Sequence, residues 1–309
     1  MRDPRYSAKL MVCLSIVYVV WGSTFLFTKI AVNHLPIALY SAVRFLTAGS
    51  LLALVARFWK RDSWPKRLTD WRHAAVTGFF MVFLSNGLNA WAIQYLPTNE
   101  SALLNGTAAF WIAGLGVFGP RGHPLTRWAV LGLAVGFTGT AIMLLPQGTS
   151  HPSLLAQFGV LAACLAFSVG TLYYRSLDTP VSSLMFMAMQ LCCGGLMLFA
   201  IAVARGDAAR WTFNLPGLVA LGYLTLVSSC FAYTAYGWLM RNAPPAIIGT
   251  YSYVNPAIAA LLGWQFLHER LSHLQLAGML IIMVGVAILT LPGGSVSDPK
   301  TLGEPKTAA

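Results

Sequence analysis

Charged side chains are scarce in this sequence. Asp, Glu, Lys and Arg together make up 9% of its 309 residues, whereas about 25% is usual for a soluble domain. Hydrophobic residues make up 57%, and the mean hydropathy is +0.67. A soluble fold cannot bury that much apolar surface behind so few charges. The composition therefore excludes an ordinary soluble protein and indicates that the bilayer surrounds most of the chain.

Long polar stretches are absent as well. Ten membrane helices of about 20 residues would use about 200 residues, which leaves no room for a soluble domain of the common size, about 100–150 residues. No alternation with the period of barrel strands is present in stretches such as 276–291. Interruptions by charge, Pro and Gly predict an all-α integral membrane protein whose ten transmembrane helices lie near residues 10–31, 37–58, 73–95, 100–119, 126–145, 154–174, 181–204, 216–239, 245–266 and 273–292.

Basic residues are unevenly distributed between the predicted loops. Fifteen lie on the side of both termini and four on the opposite side, which predicts that the N- and C-termini are cytoplasmic. The same distribution explains the net charge of +11 as a topology signal, so no nucleic-acid partner is expected. The first apolar stretch has no A-x-A-like cleavage site, and we interpret it as a retained helix.

Acidic residues and His are missing from the middle of the predicted helices. The nine acidic residues and six His lie in loops, tails or at helix ends, and the five Cys have no metal-ligand spacing. No metal or cofactor is therefore expected. An intramembrane enzyme would need a base beside a Ser or Cys nucleophile, and no His lies there, so we expect no catalysis. Without a central carboxylate to relay protons, we expect facilitated, gradient-driven transport with Glu100 as the only plausible coupling group.

The chain contains an internal repeat. Residues 125–148 align with 271–294 at an offset of 146, and residues 91–97 align with 238–244 at an offset of 147. This pattern predicts a first repeat over 1–148, a second over 149–294 and a disordered cytoplasmic tail over 295–309. Because each half has five helices, the second half is inverted relative to the first, which is typical of transporters that work by alternating access.

Two segments carry a family resemblance. Trp21-Gly22-Ser23-x-Phe25, with Lys29, Pro36 and Arg44, resembles the opening of an EamA-type repeat in the drug/metabolite transporter superfamily, and Glu269-x-Leu271-Ser272-x-x-Gln275-x-x-Gly278 with Gly285-Val286 resembles its closing segment. The first half has His123 in place of Glu269, so an acid is not required twice. The chain as a whole is similar to YddG-type amino-acid exporters of bacterial inner membranes. That resemblance implies a protein of the cell inner (plasma) membrane that exports aromatic and other neutral amino acids. The alternative is a multidrug or cation exporter, including a proton-coupled one.

Polar residues at helical spacing predict which helix faces line the path of the solute through the protein. Third-helix residues Asn86 and Asn89 share a face and align with Tyr233 and Tyr236 of the eighth helix. A central cavity between helices 3, 4, 8 and 9, closed by helix 1, suits a zwitterion with an apolar or aromatic side chain. The alternative is that these groups only link helices, at about 0.6 kcal/mol each. The predicted substrate-binding residues are Trp21, Ser23, Thr24, Arg44, Asn86, Asn89, Asn105, Ser229, Tyr233, Tyr236, Tyr251 and Asn255.

Four residues are assigned gating or structural roles: Lys29, Glu100, Pro256 and Glu269. Lys29 is expected to reach the lipid headgroups, and Glu269 to pair with Arg270 at the outer surface. Arg44 lies on the order of 10 Å deep, where a charge faces the bundle interior or water. It either receives a carboxylate or tethers helix ends. The expected partners are the amino-acid substrate and the lipid bilayer, and two fused halves make a monomer sufficient.

Overall fold

The computed structural model describes residues 4–115, 127–143, 153–243, 248, 251–269 and 272–290, and within these ranges the regular structure is helical. Its helical segments are α1 (Pro4–His34), α2 (Ile37–Trp59), α3 (68–92), α4 (Thr98–Asn105 and Ala108–Leu115), α5 (Arg127–Met143), α6 (Leu154–Ser176), α7 (Ser183–Ala204), α8 (Leu215–Asn242), α9 (Tyr251–Leu267) and α10 (His273–Thr290). A short 3₁₀ turn covers Asp207–Arg210. The predicted all-α membrane class is confirmed.

Five of these helices, α1, α2, α6, α7 and α8, are long and apolar enough to cross a membrane. Shorter apolar helices lie within α5, α9 and α10, at Val130–Gly139, Val254–Leu267 and Leu276–Gly285. The chain is therefore a multi-pass membrane protein. Ten crossings and cytoplasmic termini stay predictions, and the expected linker around Gly148 and the tail 295–309 lie outside the described residues.

Polar caps and prolines set the helix boundaries. Pro36 and Pro97 stand in extended conformation immediately before α2 and α4. Ser153 and Ser182 cap α6 and α7, accepting from the backbone N–H three residues on at 3.3 and 3.1 Å, and Asn214 caps α8 in the same way at 2.9 Å. These side chains satisfy backbone donors that a helix start leaves without a partner.

Helices α5 and α10 pack against each other through glycines. A Cβ added to Gly139 would lie 2.8 Å from the carbonyl oxygen of Gly278, and one added to Gly285 would lie 2.8 Å from that of Gly132. The early part of each helix thus meets the late part of the other, so the two run antiparallel. Because these are the repeat-equivalent helices, one half is turned over relative to the other.

Helices α2 and α7 show the same relation. Gly49 approaches the sulfur of Cys192, and Gly195 approaches Leu46. The offset of 146 relates Gly49 to Gly195 and Leu46 to Cys192, so the two contacts are equivalent. Two antiparallel interfaces between equivalent helices are what an inverted repeat requires, since a two-fold axis along the membrane normal would instead make equivalent helices parallel.

The largest buried apolar cluster joins the two halves. It includes Val17 of α1, Phe45 of α2, Met81 of α3, Phe186 of α7 and Tyr236 of α8, none of them more than marginally exposed. Close packing of these helices leaves a cavity beside the cluster.

Candidate functional site

A central cavity of about 130 Å³ lies between α1, α2, α3, α4, α6, α8 and α9. It extends along α1 from Trp21 to Thr28, toward the face at which α1 ends, which is the predicted outer face. Ten of the residues singled out in the sequence line it: Trp21, Thr24, Arg44, Asn86, Asn89, Asn105, Tyr233, Tyr251, Asn255 and Pro256. Lining a cavity is compatible with substrate binding, which stays a prediction for each of them.

Arg44 brings a buried positive charge to the wall of the cavity. Its side chain is 6% exposed, Nε donates to Ser229 Oγ at 2.8 Å, and Nη2 donates to Ser228 Oγ at 3.0 Å. In the part of the chain that the structure describes, no carboxylate lies within 4 Å of the guanidinium. Burial of a charge with only neutral partners is costly, so this site has an unmet demand for negative charge.

Amide side chains connect α3 and α4 at the cavity wall. Asn105 Nδ2 donates to Asn89 Oδ1 at 2.7 Å and to the Ser101 carbonyl at 2.8 Å. Ser101 is also a lining residue, and its hydroxyl is buried and finds no hydrogen-bond partner among the described residues. A buried hydroxyl without a partner costs free energy.

Helices α3 and α8 each contain a π-helical stretch next to the cavity, at Gly78–Leu84 and Leu224–Ala232. In α3 the Met81 carbonyl accepts from Asn86 Nδ2 at 2.7 Å and from the Tyr233 hydroxyl at 3.4 Å. π-Helical stretches are common at functional sites because they leave backbone groups outside the regular pattern. The sequence contained no signal for them.

An aromatic cluster closes the deep end of the cavity. The Trp21 ring lies 5.9 Å from Phe167, 6.0 Å from Tyr233, 4.7 Å from Tyr236 and 5.4 Å from Tyr251, measured between ring centroids. All except Tyr236 line the cavity. These five residues, hereafter the aromatic cluster, offer ring faces with polar edges.

Three predicted binding residues do not line the cavity. Ser23 turns toward α8, where its hydroxyl lies 2.6 Å from the Tyr223 hydroxyl. Ser229 stands behind Arg44, and Tyr236 is fully buried behind Trp21 with its hydroxyl 3.2 Å from Thr171 Oγ1. Their places follow from how the helices are rotated against one another, which helical spacing alone does not specify.

Lys29 binds the end of α3, and its expected contact with the lipid headgroups stays a prediction. Its ammonium donates to three backbone carbonyls just after α3, those of Ile93 at 2.6 Å, Gln94 at 3.2 Å and Leu96 at 2.9 Å. The end of α3 leaves carbonyls without helical donors, and these lie within reach of the lysine.

The two acidic candidates also have structural partners. The Glu269 carboxylate accepts from the backbone N–H of Thr98 at 2.8 Å and of Asn99 at 3.3 Å, and from the Thr98 hydroxyl. It therefore caps α4, whereas its expected partner Arg270 lies outside the described residues. Glu100 is buried outside the cavity lining and accepts from Gln157 Nε2 at 2.6 Å.

Sequence reasoning missed several lining residues: Phe25, Thr28, Tyr40, Ser41, Phe167 and Ser228. Two of them carried a usable signal. Phe167 follows Trp21 by 146 residues, so the repeat offset applied to α1 would have found it. Ser228 is adjacent to the predicted Ser229. The other four have no distinguishing pattern.

Comparison with known proteins gives consistent matches over nearly the whole chain. The model of the EamA-like transporter family matches residues 9–145 and again residues 154–291. The uncharacterized inner membrane transporter YedA of Escherichia coli K12 is 30% identical over 280 residues, which cover 90% of this chain and 89% of that protein. The uncharacterized transporter YvbV of Bacillus subtilis 168 is 25% identical, covering 89% of this chain and 90% of its own.

A solved crystal structure has the same fold. It superposes with a TM-score of 0.68 at 18% sequence identity and covers 94% of this chain and 98% of the matched one. At that identity the similarity supports the fold alone.

Proposed function

The chain belongs to the EamA-like transporter family, and from this premise we propose that it exports aromatic and other neutral amino acids by alternating access. Small-molecule transport across an inner membrane follows from the family and from relatives such as YedA. The amino-acid cargo, the outward direction and the absence of catalysis are our proposal. The observation that carries it is the buried Arg44 guanidinium, which faces the cavity without a described carboxylate partner.

A solute carboxylate would supply the missing negative charge. An arginine can hold a carboxylate with two parallel hydrogen bonds, and a contact of this charged kind contributes about 1.5–3 kcal/mol. The guanidinium favours a solute with a carboxylate over one that is neutral throughout.

The aromatic cluster would receive the side chain of the amino acid. Ring pairs contribute about 0.5–1.5 kcal/mol beyond the area that they bury, which favours aromatic and large apolar cargo. Among the described residues, the cavity lining contains no Asp or Glu, so a solute ammonium would meet only amide, hydroxyl and carbonyl oxygens there. This disfavours cationic cargo, and Arg44 repels it.

The multidrug or cation exporter remains the competing function. It requires a negative group in the path to neutralise its cargo. The acidic side chain nearest in sequence to the lining is Glu100, which is buried beside Gln157 instead. We therefore favour facilitated export through a single chain with cytoplasmic termini.

Efflux from proteoliposomes tests this function. Vesicles holding the purified protein are preloaded with labelled phenylalanine, leucine, lysine or tetraphenylphosphonium, with and without a pH gradient, and protein-free vesicles serve as the control. We expect saturable efflux and counterflow of phenylalanine and leucine that persist without the gradient. Efflux of tetraphenylphosphonium without that of the amino acids would establish the competing function, and a strict need for the gradient would contradict facilitated transport.

A further inference from the structure

Each half of the protein contains a cation bound to the carbonyl end of a helix. In the first half Lys29 of α1 donates to the carbonyls of Ile93 and Leu96, just after α3. In the second half Arg175 of α6 donates through Nη1 to the carbonyls of Met240 at 2.9 Å and Ala243 at 3.2 Å, at the end of α8. Cations at this end of a helix are stabilised by its unpaired carbonyls and by its dipole.

The two contacts are equivalent in the repeat. Lys29 and Arg175 are 146 residues apart, and the acceptor pairs 93 and 240, and 96 and 243, are each 147 residues apart. These offsets are the ones that relate the two halves elsewhere. Two different side chains thus make the same contact at the same place in each half, and the inversion of the halves puts the two contacts on opposite faces of the bundle.

The symmetry of the inverted repeat predicts whether these contacts break during transport. In an inverted-repeat carrier, the second state arises when each half takes the conformation that the other half had in the first. A contact made within both halves in one state is therefore made in both halves in the other state as well. The structure holds the Lys29 and Arg175 contacts at the same time, which is the pattern of a permanent joint.

We propose that Lys29 and Arg175 are positioning residues that keep α1 attached to α3, and α6 attached to α8, throughout the transport cycle. The proposal rests on alternating access as the proposed function. Its consequence is that α3 with its Asn face moves together with α1, which carries Trp21. The alternative is that the two cations are gates that open in turn, one on each face.

A contact between the two halves provides the matched comparison with the two contacts made within a half. Glu269, between α9 and α10, binds the start of α4 at Thr98. This contact joins the two halves. The residue equivalent to Glu269 is His123, so only the second half has a carboxylate at this position. A contact between halves can open when the halves exchange conformations.

Reversible tethering distinguishes joints from gates. The five native Cys are replaced by Ala, and three Cys pairs are introduced: K29C with L96C, R175C with A243C, and T98C with E269C. After linkage with a short bifunctional methanethiosulfonate, we expect the first two tethered proteins to keep at least half of the counterflow rate of their reduced forms. The third is expected to lose at least ten-fold and to recover with reductant. A ten-fold loss on tethering at 29–96 or 175–243 would overturn the proposal.

A second measurement does not depend on transport and leaves the Lys29 and Arg175 contacts intact. Spin labels at the exposed positions 34 and 95 report the α1–α3 joint, and labels at 176 and 242 report the α6–α8 joint. We expect one narrow distance distribution for each pair in proteoliposomes, and two separated distributions for either pair would overturn the proposal. If the reduced parent carries no amino acid, the proposed function fails, and the spin-label distances still decide the fate of the joints.

Substitution separates positioning from bulk stability. K29M and R175M are expected to lower the maximal rate about ten-fold while KM stays within three-fold, because neither cation lies in the cavity lining. K29R and R175K should retain most of the rate, since they keep a donor cation. A rise in KM without a change in maximal rate, or conservative variants as inactive as the Met variants, would count against the assignment.

Discussion

Replacement of Arg44 by Met tests the carboxylate subsite most directly. Arg44 is nearly fully buried in the cavity wall, and its described hydrogen bonds go to the hydroxyls of Ser228 and Ser229. If a solute carboxylate binds the guanidinium, the variant loses one charge-assisted contact of about 1.5–3 kcal/mol. Because 1.4 kcal/mol corresponds to a factor of ten, KM for phenylalanine is expected to rise about 10- to 100-fold.

Stability of the empty protein should respond in the opposite sense. Removal of a buried charge that has no carboxylate partner relieves a desolvation cost of several kcal/mol, against the loss of two bonds to neutral hydroxyls. We therefore expect Arg44→Met to unfold at the same temperature as the parent or higher. If Arg44 only tethers α2 to α8, the variant should unfold at a lower temperature and show an unchanged KM.

The assay combines counterflow kinetics in proteoliposomes with thermal unfolding in detergent. Ser23→Ala is the matched control, because Ser23 is also polar and buried but faces Tyr223 and not the cavity. It should leave KM within about two-fold, on the view that it makes no contact with the solute. An Arg44→Met protein with unchanged KM and reduced thermal stability would refute the carboxylate subsite.

Three further substitutions test the structural roles. Glu269→Ala should lower the free energy of unfolding by about 0.5–2 kcal/mol, the usual cost of losing a helix cap, and an unchanged unfolding temperature would contradict the cap on α4. Glu100→Gln should leave phenylalanine efflux and its independence from a pH gradient unchanged, whereas loss of a gradient dependence present in the parent would identify Glu100 as a coupling group. Gly285→Ala should destabilise by about 1–3 kcal/mol, because its Cβ would lie 2.8 Å from the Gly132 carbonyl oxygen on α5. Gly222→Ala, whose added Cβ would meet no atom of the described residues within 4 Å, is the control and should be neutral or slightly stabilising.

Much of the fold followed from local pattern. Scarce charge and long apolar stretches predicted the membrane class, and the structure confirms the all-helical architecture. The repeat offset found at the ends of the halves also holds at the α2–α7 interface, where Gly49 meets Cys192 and Gly195 meets Leu46. Spacing along α3 correctly placed Asn86 and Asn89 on one face, because a helix brings residues three and four apart together.

The candidate site was less predictable where a side chain's partner depends on the rotation of its helix or on the distance to another segment. Ser23 is adjacent to the cavity-lining Thr24 in sequence but faces a different helix. Lys29 and Glu269 have polar partners within reach that belong to distant segments, the turn after α3 and the start of α4. No spacing rule identifies such partners, since they depend on how close the helix ends come.

The sequence alone determined that the chain lies in a bilayer and that it consists of two repeated halves, because hydropathy and self-similarity can be read directly from the order of the residues. Tertiary structure decided which polar groups face the cavity and which cations hold helix ends. The physical reason is that a helix sets the angles between its own side chains, while its rotation and depth are set by packing against its neighbours.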